Sequence, residues 1–323
     1  MLFLSPDFEL PALGRGIDVL RGRVRELLAE EIGSGRITPR CNSWTEGFSA
    51  DFSRRLGARG WIGTHWPCEY GGQGGSAFET LTINEELLAA GAPVAAHWVA
   101  ARQSAPLLMR FGSEAQRLEF VPRIASGTLY FAIGMSEPDV GSDLASVRTR
   151  AVPRGSVWLL NGRKAWTSRA HLCDFAIVLC RTAPADSNAR HAGLSQLIVD
   201  LRAKGVSIRP IRMLDGSHHF NEVTFDDVEI SDERVIGAPG DGWKQVTSEL
   251  AYERSGPERF LSTMPLVNRY LRRVLESAPD AGDVSAGKLL ARLMLLRHMT
   301  QGVWGALGAG RSPAIEAAMV KDL

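Results

Sequence analysis

The chain has 323 residues, 45% hydrophobic and 23% charged, a length and balance that suit two or three packed units and exclude a disordered or fibrous chain. Its 37 Lys and Arg against 36 Asp and Glu leave no basic surplus for nucleic acid or an anionic membrane surface. No apolar run approaches a membrane span, and the opening M-L-F-L-S-P-D-F-E-L-P turns acidic too soon for a signal peptide, so the expected location is the cytoplasm. In chain order, Asp18–Ile32 reads as an amphipathic helix with Val19, Leu20, Val24, Leu27 and Leu28 at helical spacing. Phe48–Leu56 reads as a second helix. Ser76–Ala90 is a third, with Ser76 as N-cap and Gly91 as stop. The mostly apolar Val94–Phe111 predicts a helix buried on several sides, and Ser113–Ile124 another that opens on Ser113.

The pattern changes after Gly127. Phe131–Met135, Val147–Val152, Val157–Asn161, Phe175–Arg181, Leu194–Asp200, Val206–Met213 and Asn221–Ile230 are short, alternating or β-branched, with turn residues between them. They predict a small antiparallel barrel or sandwich. Trp243–Arg254, Phe260–Ala278, Ser285–Leu307 and Arg311–Leu323 return to helical period. The expected class is α+β: a helical domain over 1–127, a β-domain over 128–237 and a helical domain over 238–323.

Two stretches carry the chemistry. Phe131–Asp143, F-A-I-G-M-S-E-P-D-V-G-S-D, is a short alternating strand broken by Ser136-Glu137-Pro138-Asp139. Hydroxyls at Ser136 and Ser142 and amides around Gly141 can bind a polar, planar ligand. Asn161–Ser168, N-G-R-K-A-W-T-S, ends in an indole beside two hydroxyls, which suits a flat ring with a polar edge. Either block alone is equally a strand leaving a turn. Together and in this order they resemble the acyl-CoA dehydrogenase flavoprotein family. G-W-I-G-T-H-W-P-C-E-Y-G-G-Q-G-G, F-N-E-V-T-F-D-D-V and G-D-G-W extend the resemblance from about Gly60 to the last residue.

The resemblance implies FAD as cofactor, an acyl-CoA substrate oxidised to the trans-2-enoyl thioester, an electron-transfer flavoprotein as acceptor, and a homo- or hetero-oligomer. It places the flavin against Ile133, Met135, Ser136, Trp166, Thr167 and Ser168, and the thioester ligand near Ser142 and Arg254. The catalytic base it implies is Glu253, in L-A-Y-E-R; desolvation beside a flavin would strengthen that carboxylate as a base. A solvated helix Glu paired with a nearby Arg is the plainer reading of the same residue. Two other functions stay open: a non-catalytic or half-site subunit of a heteromer, and a flavin oxidase or monooxygenase of the same fold.

Other features read as structural. Cys41, Cys68, Cys173 and Cys180 form no C-x-x-C pair, which suggests free thiols in a reducing compartment. His218 and His219 are adjacent, so on a strand they face opposite ways and ligate no common metal. Gly71–Gly75 lacks the G-K-S/T of a phosphate loop and reads as a tight turn; no G-x-S-x-G elbow is present. Arg169 stands where relatives carry Gly or Asn, and is expected to point outward. Pro257 should start a new helix just after the proposed base. The chain stops inside a predicted helix, where relatives continue with helices that help build a tetramer. The C-terminal domain is therefore expected to be incomplete, with Leu289, Leu290, Leu293, Leu295, Leu296, Val303, Leu307 and Ile315 in need of cover.

Overall fold

Serine side chains start several helices by accepting a backbone N–H of the first turn. The computed structural model describes residues 15–184, 188–254, 256–277, 284–311 and 313–323, with residues 15 and 250–253 described by backbone alone. Among the described residues, seven helices precede the sheet: α1 (Arg15–Gly33), α2 (Ser43–Glu46), α3 (Ala50–Gly57), α4 (Ala77–Ala89), α5 (Ala95–Val99), α6 (Ala105–Phe111) and α7 (Glu114–Ala125). Ser76 and Ser113 close capping boxes with Glu79 and Gln116, so two backbone donors at each helix start are satisfied. Gly91 leaves α4 at φ 67°, the left-handed turn that glycine takes without strain. On α1 the buried stripe runs through Ile17, Val24, Leu27 and Leu28, and Val19 falls off it, exposed. The stretch expected as one helix over 94–111 contains a π-turn at Ala100–Ser104. Pro106 has no N–H for the Arg102 carbonyl, and the Ala105 N–H reaches back five residues to Ala100 instead.

Among the described residues, five helices follow the sheet: α8 (Gly242–Arg254), α9 (Glu258–Leu261), α10 (Met264–Ser277), α11 (Val284–Gly308) and α12 (Ala314–Asp322). Pro257 stands at the N-cap position of α9, at the start of a new helix, without a side-chain capping bond. The single helix expected over Phe260–Ala278 is two, and Ala278 lies outside the described residues. Pro265 is the cause, because its ring would clash with the carbonyl of Leu261 four residues earlier. No described helix is long and apolar enough to cross a membrane.

The chain divides into two compact units. One holds Met1–Cys68, Gly72–Ala95 and Leu250–Leu323. Within it Glu85 of α4 takes a bidentate contact from Arg297 of α11 (2.8 and 2.9 Å), and Glu86 takes Arg25 of α1 (2.7 Å). Met299 and Val303 of α11 pack with Ala317 and Val320 of α12, while Leu290, Met294, Leu295 and Ile315 are exposed.

The other unit holds Glu69–Gly71 and Ala96–Glu249, including the sheet. Its strands are β1 (Phe131–Gly134), β2 (Arg150–Arg154), β3 (Val157–Ser168), β4 (Phe175–Arg181), β5 (Leu194–Asp200), β6 (Val206–Arg212) and β7 (His218–Ser231). β5 pairs with one edge of β4, and β1 and β2 share the other; β3, β7 and β6 follow. Ala132, Leu160, Val178, Leu197, Val223 and Phe225 meet in one core, so strands from both ends of this path bury the same face and the sheet curls. The α+β class stands, but the sheet is mixed rather than purely antiparallel. β1 and β2 both run parallel to β4, which the long connections between them permit. On the opposite face of β1 and β4 from Ala132 and Val178, Phe120 of α7 meets Phe131 and Phe175 edge-to-face at 5.6 and 5.3 Å.

Candidate functional site

The two sequence blocks lie side by side. After β1 the chain turns through Pro138 and Asp139, and Glu137 and Val140 exchange backbone hydrogen bonds of 2.8 and 3.1 Å across that turn. β3 runs past it, and the Ala165 N–H donates to the Ser136 carbonyl at 2.9 Å. Beneath this contact sits Lys164, 0% exposed. Its ammonium donates to the Met135 carbonyl (2.8 Å) and to Glu137 Oε1 (2.9 Å). The Glu137 carboxylate also accepts the N–H groups of Arg148 (2.7 Å) and Thr149 (2.9 Å). Burial alone would raise the Glu137 pKa, but Lys164 and these hydrogen bonds outweigh it and hold the carboxyl below its ordinary value. Burial pushes the Lys164 ammonium down, against the opposing pull of Glu137.

A bulge aims the indole. Lys164 opposes Val223 of β7 and Thr167 opposes Asn221, so Ala165 and Trp166 together face the single residue Glu222. Trp166 takes the extra position at φ 60°, a left-handed conformation that costs a non-glycine residue about 1–2 kcal/mol. Its ring leans edge-on against Phe220 at 5.7 Å and is 55% exposed. Thr167 beside it is 1% exposed, and its hydroxyl has no hydrogen-bond partner among the described residues. Such a buried hydroxyl is costly unless something else engages it. An open aromatic face next to an unsatisfied hydroxyl, with Ser168 half-buried beyond, suits a flat ring with a polar edge.

Asn221, fully buried, braces this segment from β7. Its Nδ2 donates to the Thr167 carbonyl at 3.0 Å. A carbonyl can only accept, so that bond fixes the amide orientation and turns Oδ1 toward two imidazoles. His171 Nδ1 (3.1 Å) and His218 Nε2 (2.8 Å) both donate to it, with the two rings stacked at 3.9 Å. Burial first and the neighbouring His218 second lower the His171 pKa. His219 is buried and meets Phe220 edge-on, so the adjacent histidines have separate surroundings. No cluster of metal-ligating side chains occurs among the described residues.

Of the residues singled out in the sequence, Ile133, Met135 and Ser136 are half-buried on the first block. The Ala165–Ser136 hydrogen bond joins that block to Trp166, Thr167 and Ser168. Ser142 is exposed beyond the turn, next to Asp143, which pairs with Arg190. Arg169, expected outward, is instead 9% exposed. It follows the bulge at φ 54°, and its N–H donates to the His219 carbonyl at 2.9 Å, which draws the backbone inward at that point. Glu253 lies on α8, and its side chain lies outside the described residues. Arg254 is half-buried in the other unit, with its Nε unpartnered. Sequence reasoning missed Glu137, Lys164 and Asn221. The available signal for the first two was one acid and one base, each inside a block proposed to touch the same ligand.

The chain matches family models over two stretches. Residues 18–128 match the N-terminal domain of acyl-CoA dehydrogenases, and residues 132–228 match their middle domain. Over 264 residues the chain is 39% identical to acyl-CoA dehydrogenase IpdE1 of Mycobacterium tuberculosis, covering 82% of this chain and 66% of that one. It is 36% identical to the protein of the same name in Mycolicibacterium smegmatis, covering 82% and 67%. With acyl-CoA dehydrogenase FadE29 of Mycobacterium tuberculosis it shares 40% identity over 62% of this chain and 51% of that one. The chain thus spans about half to two thirds of the length of these relatives. Among solved structures it resembles the "Tcur3481-Tcur3483 steroid ACAD" with a TM-score of 0.83 at 29% identity, covering 96% of this chain and 81% of that one. It resembles the ChsE4-ChsE5 complex of Mycobacterium tuberculosis with a TM-score of 0.74, also at 29% identity, covering 96% and 80%.

Proposed function

Because the chain belongs to the acyl-CoA dehydrogenase family, we propose that it binds FAD and oxidises an acyl-CoA to the trans-2-enoyl thioester. In this reading the helical segments 1–127 and 238–323 flank a flavin-binding β-domain over 128–237. The observation that carries it is Trp166, held half-exposed on a strained bulge with the unsatisfied Thr167 hydroxyl beside it. Strain of this kind persists where a site requires the geometry. FAD, when bound, supplies the two-electron acceptor. Trp166, Ile133 and Met135 cover its ring, and Ser136, Thr167 and Ser168 hydrogen-bond its polar edge. Glu253 removes the proton from the carbon next to the thioester carbonyl, while Ser142 and Arg254 hold the thioester ligand. An electron-transfer flavoprotein would be the partner that takes up the electrons. The decisive experiment purifies the chain, records its flavin spectrum, and adds acyl-CoAs anaerobically. The panel includes a steroid-derived acyl chain, because one structural neighbour is titled a steroid ACAD. Flavin that bleaches with one class of acyl-CoA supports the reading; a chain that takes up no flavin under any condition refutes it.

A second reading makes the chain one partner of a two-chain assembly. The exposed Leu290, Met294, Leu295 and Ile315 favour it, as does a structural neighbour that is itself a complex of two named components. Flavin uptake that requires a second polypeptide would select it.

A further inference from the structure

Lys164 and Glu137 share no obvious task with a substrate. Neither is open to solvent, and each is spent on internal partners: Lys164 on Met135 and Glu137, Glu137 on Arg148 and Thr149. A buried ion pair is a poor device for stability alone, since well-packed apolar residues in its place often leave a protein as stable or more so. What the pair supplies instead is direction. The ammonium draws the Met135 carbonyl and the Glu137 carboxylate to one point on β3, one residue before the Ala165 N–H that binds the Ser136 carbonyl and two before Trp166.

We propose that the Lys164–Glu137 pair is the positioning device of the ring-binding pocket, fixing the distance between the Met135–Ser136 turn and the Trp166–Ser168 bulge. This deepens the flavin reading above and rests on it for the identity of the ligand. Three observations carry the placement. The bulge leaves Trp166 in a conformation it would abandon unless held, and the hold immediately before it is the Lys164 and Ala165 contacts to the turn. On the turn side, the Glu137 carboxylate pins its own loop to the Arg148–Thr149 backbone, so the loop cannot drift with Lys164. Lastly, Gly134 leaves the lysine stem its room: a Cβ there would lie 3.3 Å from Lys164 Cγ and 3.4 Å from Val178 Cγ2. Beside the pair, burial pushes the Cys180 thiol up to about 12, so the thiol brings no charge of its own to the pair.

The test compares the parent chain with the double variant Lys164→Met/Glu137→Gln, which removes both charges at nearly constant volume. Amide exchange is followed at Ala165 and, as a control, at Ile177 and Ile198 in the β4–β5 ladder; flavin affinity and the visible band of bound flavin are measured alongside. Positioning predicts Ala165 exchange at least tenfold faster, control amides unchanged, flavin bound at least tenfold more weakly, and a shifted visible band. Parental Ala165 exchange and parental flavin binding overturn the proposal. Equal acceleration at the control amides also overturns it, since the pair would then be a general stabiliser. If the double variant does not fold, Gly134→Ala presses on the lysine stem without removing a charge, and it should speed Ala165 exchange two- to fivefold; a folded Gly134→Ala chain with parental exchange and binding overturns the proposal equally. A parent chain that binds no flavin, with Ala165 exchange still raised in the variant, sinks the flavin reading and leaves the positioning role standing.

Discussion

Replacing Trp166 separates a ligand wall from a core residue, because the two roles predict different ratios of lost stability to lost affinity. The indole is 55% exposed, so slightly less than half of it is covered by the chain. On the scale of buried aromatic side chains that covered part is roughly 100 Å², worth at most about 2.5 kcal/mol of folding stability. The open part is slightly larger, roughly 130 Å², and its burial under a ring is worth about 3 kcal/mol, a factor of about 100 in affinity. Trp166→Ala should therefore lower stability modestly and weaken flavin binding by one to two orders of magnitude. Trp166→Gly adds a second contrast. At φ 60° alanine keeps the strain of a Cβ and glycine sheds it, so the glycine variant should be the more stable by about 1 kcal/mol despite its greater freedom when unfolded. Both should bind flavin equally poorly. Flavin fluorescence titration gives the affinities, and denaturant titration without flavin gives the stabilities. Parental affinity in both variants would refute the ligand-wall assignment, and a glycine variant less stable than the alanine one would refute the strain.

Glu253→Gln should keep the fold and bound flavin yet lose anaerobic bleaching by an acyl-CoA; bleaching at the parental rate would move the base elsewhere. Asn221→Ala leaves the buried Thr167 carbonyl and two imidazole N–H groups to find new partners, and should cost about 2–4 kcal/mol in denaturant titration. A loss below about 1 kcal/mol would mean that water replaces the amide. Burial lowers the His65 and His97 pKa values to about 4 and about 3, so their contribution to stability is whole above pH 6.5 and falls as pH drops toward those values. At pH 5 each should cost its own unit about 2 kcal/mol relative to pH 7, and His97→Gln should flatten that slope.

Local rules placed the helix starts and stops well, because Ser76, Ser113 and Gly91 act within a turn of where they sit. Pro265 and Pro106 obey rules just as local, and a stricter reading of either would have found the break before α10 and the π-turn after α5. Strand positions were legible from β-branched runs, but the partner of each strand was not. Nothing in Phe131–Gly134 states that it lies parallel to Phe175–Val178 rather than antiparallel to its nearest neighbour in sequence. That choice depends on burying Phe131, Phe120 and Phe175 together, a contact among residues far apart in the chain.

The site shows the same division more sharply. Residue types in the two blocks suffice to suggest a flat, polar-edged ligand, yet period-two alternation would aim Trp166 to the same side as Lys164, into the core. The bulge cancels that alternation, and it exists only because β7 supplies one residue, Glu222, against two. Arg169 misled for a related reason: a long cation after a strand is usually solvated, but here the backbone turns inward to reach His219. Lys164 and Glu137 carry the argument further. Each alone is a charge that sequence statistics assign to the surface. Burying either one singly would cost several kcal/mol, so neither is explicable until both are seen to meet. Once they meet, the Met135 carbonyl, the Arg148 and Thr149 amides and the ammonium complete one another's hydrogen bonds, and the pocket's two walls lose their freedom to separate. The side chains proposed to touch the ligand are thus the part that sequence can name. The pair that sets their spacing appears only after folding brings residues 137 and 164 together.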